Sequence, residues 1–262
     1  MTSSSTSADS NSATADTSST SVMSKTTRRS ARSRLLDAAA TLFYADGMTA
    51  TGIDKITAEA GVARKSLYNN FASKDELMLA YIERRHEEWL ELYQRRLEEI
   101  GTGVASHTAE ASASGIGSSS TTELSSISEV TGVATAEKDG KAVTLLGGKS
   151  GVFAIFDAYL DHAKAAYPHG FRGCGLLNAA AELPAGTPGR EAVRRHKEEV
   201  ESLLVAHLKE AGTPDPHGMA EHLSFLLEGA MSRAGLEGQP DRILHARKLA
   251  ESLMESTTEE SR

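Results

Sequence analysis

Two short amphipathic segments joined by a glycine turn constrain the fold of this chain more than any other feature. The first segment carries Ile53, Ile56 and Ala60 on one helical face. Gly61 follows at once, and glycine readily adopts the backbone of a sharp turn. The second segment, residues 64–71, starts after that turn. This succession of elements predicts a helix-turn-helix.

The phase of the second segment, "RKSLYNNF", decides which side chains it presents to solvent. If Leu67 points inward, Phe71 lies near the same direction at 3.6 residues per turn. Lys65, Tyr68 and Asn69 then point away from the core. A short helix with so many outward polar groups is suited to binding a polar surface.

The flanking sequence predicts further helices on both sides of these two segments. Apolar spacing indicates a first helix from about Thr27 to Asp46, which Gly47 is placed to stop. Ser73 and Glu76 have the spacing of a capping box that opens a fourth helix, which continues to about Ile100. Because aromatic residues make up only 5% of the chain and the strong spacings are helical, we predict an all-α fold.

Charge is unevenly distributed along the chain. Its formal net charge is −8, yet residues 25–74 contain nine Lys or Arg and four Asp or Glu. A segment with a net charge of +5 attached to an acidic remainder indicates a polyanion-binding module. Arg and Lys pair with guanine in the major groove of DNA, and Asn pairs with adenine. The helix-turn-helix is therefore predicted to read a DNA duplex.

The stretch "GIDKITAEAGVARKSLYNNFASKDEL" resembles the DNA-binding domain of TetR-type (TetR/AcrR) transcriptional regulators. The shared features are an Ala-Gly-Val turn, the run Ser66-Leu67-Tyr68, the aromatic Phe71 and a Ser-Lys step that opens the fourth helix. The resemblance covers about residues 29–89. Asn70 departs from the family, which commonly has His or Tyr at this position.

The resemblance implies roles for individual residues. The motif would span Gly52 to Phe71. Arg64, Lys65, Ser66 and Asn69 would face bases, whereas Thr51, Tyr68 and Lys74 would hold phosphates. The arginines that precede or open the first helix would reach the adjacent DNA backbone or the minor groove. The implied DNA-binding residues are Thr51, Arg64, Lys65, Ser66, Tyr68, Asn69, Asn70 and Lys74, with Arg28, Arg29 and Arg32 as further candidates.

Composition divides the rest of the chain. We predict a disordered Ser/Thr-rich tail, a helix-turn-helix domain, a connecting helix, a low-complexity linker and a helical regulatory and dimerisation domain. These parts correspond in order to residues 1–26, 27–73, 74–100, 101–150 and 151–256. A strand at residues 142–146 is an alternative within the linker.

The family resemblance also implies a homodimer, formed through the last two helices, that binds a palindromic operator and responds to a small-molecule effector. The dimer stripes would be Met219, Leu223, Leu226 and Ala230, then Ile243, Ala246, Leu249, Ala250 and Leu253. A pocket of apolar walls with one polar group would be lined by Phe153, Phe156, Tyr159, Phe171 and Asn178. The segment "RGCGLLNAAAELP", from Arg172, looks like one seen in a branch of the family, without an indicated ligand.

Several other classes of protein are disfavoured. The sequence contains no long apolar run for a membrane span and no secretory signal, so a cytoplasmic location is expected. The single cysteine, Cys174, fits a reducing compartment and a buried small side chain. We predict no cofactor, no metal site and no enzymatic activity. The segment "GGKS" lacks the spacing of a phosphate-binding loop, so we do not predict a nucleotide site.

Three interpretations therefore remain. The preferred one is a DNA-binding transcriptional regulator, acting as a repressor that an effector releases. The second is an effector-binding or scaffolding helical protein whose helix-turn-helix does not bind DNA. The third, a Cys174-dependent enzyme, lacks a positioned base in the sequence.

Overall fold

The computed structural model of the protein describes residues 29–113, 133–138, 141–146, 148–165 and 170–259. Within these ranges the chain forms nine α-helices and one two-stranded sheet. The helical architecture confirms the predicted fold class, to which the sheet is an addition. The tail predicted to be disordered, residues 1–26, lies outside the described residues.

The first three helices form a compact N-terminal unit. They are α1 (Ala31–Asp46), α2 (Ile53–Glu59) and α3 (Arg64–Tyr68). Ser30 caps α1, because its hydroxyl accepts a hydrogen bond from Ser33 N at 3.1 Å. Gly47 ends α1 with φ of 93°, a region that glycine adopts without steric cost.

The fourth helix, α4 (Lys74–Ala113), is longer than the sequence predicted. Its start has one half of the predicted capping box, because Glu76 N donates to Ser73 Oγ at 3.1 Å. The Glu76 carboxylate accepts from Ala72 N at 2.6 Å, one residue before the cap, and not from Ser73 N. The predicted end at Ile100 is wrong, because the helix continues through Gly101 and Gly103. A glycine within a helix costs only about 1 kcal/mol relative to alanine, so it does not by itself end one.

A β-hairpin occupies part of the segment that was predicted to be linker. Strand β1 (Val133–Lys138) pairs antiparallel with β2 (Lys141–Leu146), with Val133 opposite Leu146. Strand β2 lies against α4. The linker prediction for residues 101–150 is therefore wrong at both ends, while residues 114–132 lie outside the described ranges.

The remaining five helices form the C-terminal domain. They are α5 (Lys149–Lys164), α6 (Gly175–Glu182), α7 (Pro188–Glu210), α8 (Pro216–Glu237) and α9 (Asp241–Glu259). Proline opens α7 and α8, where its missing N–H would have no helical partner. Helix α4 packs on α5 and α7, α7 packs on α8, and α8 packs on α9.

One continuous apolar core joins the two domains. It extends from Leu35 in α1 through Tyr81 and Trp89 in α4 to Phe156 and Met254 in the C-terminal domain. The N-terminal unit is therefore packed on the rest of the chain as well as connected to it. None of the helices in the described ranges combines the length and the apolarity that a membrane crossing requires.

The predicted dimer stripes divide into two groups. Leu223, Ile243, Ala246 and Ala250 are buried within the subunit, where α8 and α9 pack on the core. These four therefore stabilise the monomer, contrary to the prediction. Met219, Leu226 and Ala230 are half-buried, whereas Leu249 and Leu253 of the predicted stripes are exposed. Three further large apolar side chains are exposed on the same helices: Phe225, Leu236 and Leu244.

Candidate nucleic-acid interface

Helix α3 presents the side predicted from its phase. Leu67 and Phe71 are 0% and 1% exposed and belong to the apolar core. Lys65 and Asn69 are exposed, and Tyr68 keeps 45% of its surface in water. The buried pair fixes the rotation of the helix, so the polar side chains form its outer face.

The turn between α2 and α3 is held from α1 by Arg34. Its Nε donates to Ala60 O at 2.9 Å, and its Nη2 donates to Gly61 O. Gly61 has φ of 60°, and Val62 N closes the turn by donating to Thr57 O at 3.0 Å. Arg34 therefore fixes the backbone between the two helices, a role that the sequence pattern did not reveal.

Arg64, at the first position of α3, is exposed and locally paired. Its Nη1 lies 3.0 Å from Asp54 Oδ1, and both side chains remain more than half exposed. Its guanidinium also lies 6.0 Å from the centre of the Tyr68 ring. Water screens an exposed pair of this kind, so a phosphate or a base can replace Asp54 at small cost.

Lys74 and Ser66 lie at the border of the exposed face. Both are half-buried, and the Lys74 ammonium donates to Thr49 O at 3.2 Å. The side chain of Lys74 is thereby directed along the turn that precedes α2. Its position next to the exposed α3 face suits a contact to the DNA backbone.

Two of the predicted DNA-binding residues have structural roles instead. Thr51 is fully buried, and its hydroxyl donates to Gly47 O at 2.6 Å, so it cannot also reach a phosphate. Asn70 is half-buried, and its Nδ2 donates to Ser66 O at 2.7 Å. Both short polar side chains satisfy carbonyls at the ends of helices, which is a common use of Thr and Asn.

The arginines before and within α1 are divided between roles. Arg29 pairs with Asp37 at 3.0 Å and is 74% exposed, so it remains accessible. The Arg32 guanidinium lies 5.0 Å from the centre of the Phe71 ring, which places a positive charge beside the end of α3. Arg28 lies outside the described residues.

The five predicted pocket residues do not form one group. Phe156 and Tyr159 are buried in the C-terminal core, Phe153 lies under the Arg247 guanidinium, and Phe171 contacts His162. Asn178 is exposed, and its Nδ2 donates to Arg172 O at 3.0 Å. It lines a surface cleft of about 310 Å³ whose lining includes none of the four aromatic residues.

A polar and aromatic cluster lies between α4 and the C-terminal domain. The Nδ1 atoms of His86 and His196 are 2.9 Å apart, and Tyr159 Oη lies 3.4 Å from His196 Nε2. Trp89 packs against both Tyr159 and His196. Burial lowers the pKa of His196 to about 3, with smaller contributions from the positive charge of Lys197 and from His86, so the ring is neutral near pH 7.

Metal chemistry finds no support in the part of the chain that the structure describes. No three His, Cys, Asp or Glu side chains come together there in a group that could hold an ion. Cys174 is buried and is the only cysteine of the sequence.

Two family models match the two domains of this chain. The model described as "Bacterial regulatory proteins, tetR family" matches residues 35–81. A second, described as "Tetracyclin repressor-like, C-terminal domain", matches residues 148–250. The chain belongs to the tetR family.

Solved structures of TetR-family regulators share the fold. A TetR-family transcriptional regulator from Streptomyces coelicolor is 27% identical, with a TM-score of 0.63 over 87% of this chain and 89% of that chain. A TetR transcriptional regulator from Legionella pneumophila is 17% identical, with a TM-score of 0.59 over 87% and 98%. NemR of E. coli, in its reduced form, is 17% identical, with a TM-score of 0.56 over 85% and 96%. A search of curated proteins finds no match.

Membership of the tetR family identifies the protein as a DNA-binding transcriptional regulator and not an enzyme. The helix-turn-helix, residues 52–71, lies within the segment that the tetR family model matches. The positions that sequence reasoning missed, Arg34 and Thr49, act through backbone contacts that no spacing rule reports.

Proposed function

We propose that the protein is a homodimeric repressor that binds a palindromic operator and leaves it when a small molecule occupies the C-terminal domain. The observation that carries this proposal is the outward face of α3, where Lys65, Tyr68 and Asn69 are exposed around a buried Leu67. Helices of this type enter the major groove with their N-terminal residues against base edges.

The exposed groups divide by chemistry. Arg64, Lys65, Ser66 and Asn69 are proposed to face bases, because their donors and acceptors match base edges. Tyr68 and Lys74 are proposed to hold phosphates, which fix position without reading sequence. In this proposal Thr51 and Asn70 support the interface from within, because their polar atoms already bond carbonyls.

The dimer surface is proposed to be the exposed apolar face of α8 and α9. Phe225 and Leu236 are 64% and 83% exposed, and Leu249 and Leu253 are each close to two-fifths exposed. Burial of one such side chain stabilises a complex by about 1.5–3 kcal/mol. A partner subunit that covered this face with the same residues would form a two-fold interface, which matches a palindromic site.

The effector site is proposed to include the cluster around Tyr159 and Trp89. The Nε1–H of Trp89 is buried and has no hydrogen-bond partner among the residues that the structure describes. An unpaired buried donor costs about 1–3 kcal/mol, and an acceptor on a ligand would remove that cost. Helix α4 carries Trp89 and continues to the helix-turn-helix, so a ligand here would act on both domains.

DNA selection tests the DNA-reading part of the proposal. The purified protein should select a palindromic sequence from a random duplex library, with affinity that falls as salt rises. Lys65→Ala and Asn69→Ala should relax the preference at individual base pairs, whereas Lys209→Ala, on the exposed side of α7, should leave it unchanged. Selection of no sequence would favour the alternative, an effector-binding or scaffolding protein.

Two further measurements test the dimer and the effector. Leu236→Glu should shift the protein towards monomer in sedimentation, while Glu221→Ala should not.

Because Trp89 is the only tryptophan, its fluorescence can screen compounds, and a true effector should also release the selected DNA. The expected cytoplasmic location stays a prediction.

A further inference from the structure

The segment "RGCGLLNAAAELP" contacts the DNA-binding domain at two points, although sequence analysis gave it no function. At its first residue, Arg172 N donates to Tyr44 Oη at 2.6 Å, and Tyr44 Oη donates to Gly173 O at 3.2 Å. The Arg172 guanidinium donates to Tyr44 O at 2.9 Å and also to Ala45 O. These two carbonyls belong to the last turn of α1, so Arg172 supplies donors that a helix end otherwise lacks.

Glu182, the last residue of α6, contacts the turn that follows α1. Its Oε1 accepts from Met48 N at 3.0 Å, and its Oε2 accepts from Thr49 N at 2.7 Å. Burial by itself raises the pKa of Glu182, but the hydrogen bonds from Thr49 and Met48 outweigh it and lower the net pKa, so the carboxylate is ionised near pH 7. Gly47 leaves room for this contact, since a Cβ there would lie 2.9 Å from Glu182 Oε1.

The carbonyl of Thr49 continues the connection towards DNA. It accepts the hydrogen bond from the ammonium of Lys74, the proposed phosphate ligand. Glu182 therefore holds the N–H of the same residue whose C=O orients Lys74. The two contacts lie on one peptide segment between α1 and α2.

The other side of the Arg172 loop packs on α8. A Cβ on Gly235 would lie 2.5 Å from Gly173 N, and a Cβ on Gly173 would lie 3.1 Å from Met231 O. The two backbones meet this closely because both positions are glycine. Helix α8 also carries Phe225 and Leu236 of the proposed dimer face.

We propose that Arg172 and Glu182 are positioning residues for DNA binding, which fix the helix-turn-helix relative to α8 and so set the distance between the two recognition helices of a dimer. We call the contacts of Arg172 and Glu182 with residues 44–49 the α1 clasp. The inference rests on the proposed function, a homodimer that binds a palindromic operator. It adds a connection between the two domains that is separate from α4.

The charge of Glu182 makes the inference testable, because two effects of its removal have opposite signs. Loss of a carboxylate near Lys74 would by itself strengthen attraction to phosphate and tighten DNA binding. Loss of the clasp would loosen the spacing between the helix-turn-helix units and weaken binding to the full operator. A fall in operator affinity would therefore show that Glu182 acts by positioning the helix-turn-helix and not through its charge.

The experiment compares Glu182→Ala with the exposed Glu201→Ala as a matched control. The probes are the duplex selected by the wild-type protein, the same duplex with one base pair inserted at its centre, and a single half-site. We expect Glu182→Ala to bind the full operator about tenfold more weakly, within the range of ordinary coupling between sites. We also expect it to lose most of the preference for the uninserted duplex while half-site binding is retained, and Arg172→Ala should reproduce this result.

Hydrogen exchange gives an independent measurement. The amides of Met48 and Thr49 should exchange faster in Glu182→Ala than in the wild type or in Glu201→Ala, while amides in α3 keep their protection. Tighter operator binding, an unchanged spacing preference, or equal loss on half-site and full operator would each overturn the proposal. If the wild-type protein selects no DNA, the proposed function fails, and the clasp inference fails with it; a failure of Glu182→Ala alone leaves the proposed function intact.

Discussion

Polar side chains are arranged in opposite ways in the two domains. On α3 they face water around the buried Leu67, and their partners are exposed, as with Arg64 and Asp54. Between α4 and the C-terminal domain they are buried and bonded to each other, as with Tyr93 and His207. The comparison separates polar groups that are available to another molecule from polar groups that stabilise the fold.

The largest effect should come from removal of the two proposed phosphate ligands. Tyr68→Ala with Lys74→Ala should weaken operator binding at least about 100-fold, because two contacts to a charged group contribute about 1.5–3 kcal/mol each. Gel shift measures the loss, and size exclusion should show an unchanged dimer. Tight binding by this double variant would contradict the assignment of the exposed α3 face.

Acidification should lower the stability of the protein through its buried histidines, while the exposed residues of α3 do not contribute to this loss. The pKa values of His196 and His162 are lowered to about 3, in both cases mainly by burial, with additional repulsion from Lys197 at both sites and from Arg85 at His162. The unfolded chain takes up these protons below its own pKa of about 6.5, so stability falls as pH drops from 7 to 5. Each site contributes at most about 2 kcal/mol of loss at pH 5.

Urea unfolding at pH 7 and pH 5 measures this loss. His196→Phe removes one titrating site and should reduce the difference between the two pH values, whereas substitution of the exposed His222 should not. An equal pH dependence in His196→Phe would show that the ring is not held neutral by its surroundings.

The buried pair of Tyr93 and His207 should show the cost of an orphaned polar group. The Tyr93 hydroxyl lies 2.5 Å from His207 Nε2, and both residues are buried. Tyr93→Phe should destabilise the protein by about 1–3 kcal/mol, because the ring nitrogen loses its partner without gaining water. Thermal unfolding measures it, and operator affinity of the folded protein should be unchanged.

The smallest effect on stability should come from the exposed pair on the DNA side. Asp54→Ala removes the partner of Arg64, yet it should leave the free energy of unfolding almost unchanged, because the pair is exposed to water. Operator affinity should rise slightly, since Arg64 is released for DNA. A large loss of stability would mean that the exposed and buried pairs do not differ as described.

Local periodicity predicted the parts of the fold that depend on near neighbours. The rotation of α3 follows from Leu67 and Phe71, and the start of α4 follows from Ser73 and Glu76. The alternative strand at residues 142–146 corresponds to β2, but β1 and its pairing with β2 were missed. The sequence signal for them is Asp-Gly at 139–140, which is typical of tight hairpin turns.

Local periodicity could not predict which atoms each of these side chains contacts. Thr51 and Asn70 have side chains that suit DNA, but the carbonyls next to them in the fold already use those atoms. On α9, apolar spacing does not distinguish Ala250, which meets its own subunit, from Leu253, which faces outward. Glu182 and Thr49 are 133 positions apart, so only the tertiary structure reveals their contact.

Because α4 is long, a small rotation of this helix in the C-terminal half moves its N-terminal end by several ångströms. The helix runs without a break from Lys74 to Ala113, and about 30 Å separate Tyr93 from Lys74 at 1.5 Å per residue. A rotation of about 7° around Tyr93 would carry Lys74 by about 3.4 Å, which is the rise of one base pair. A rearrangement no larger than a side chain in the interior is thus magnified into a full step along the double helix.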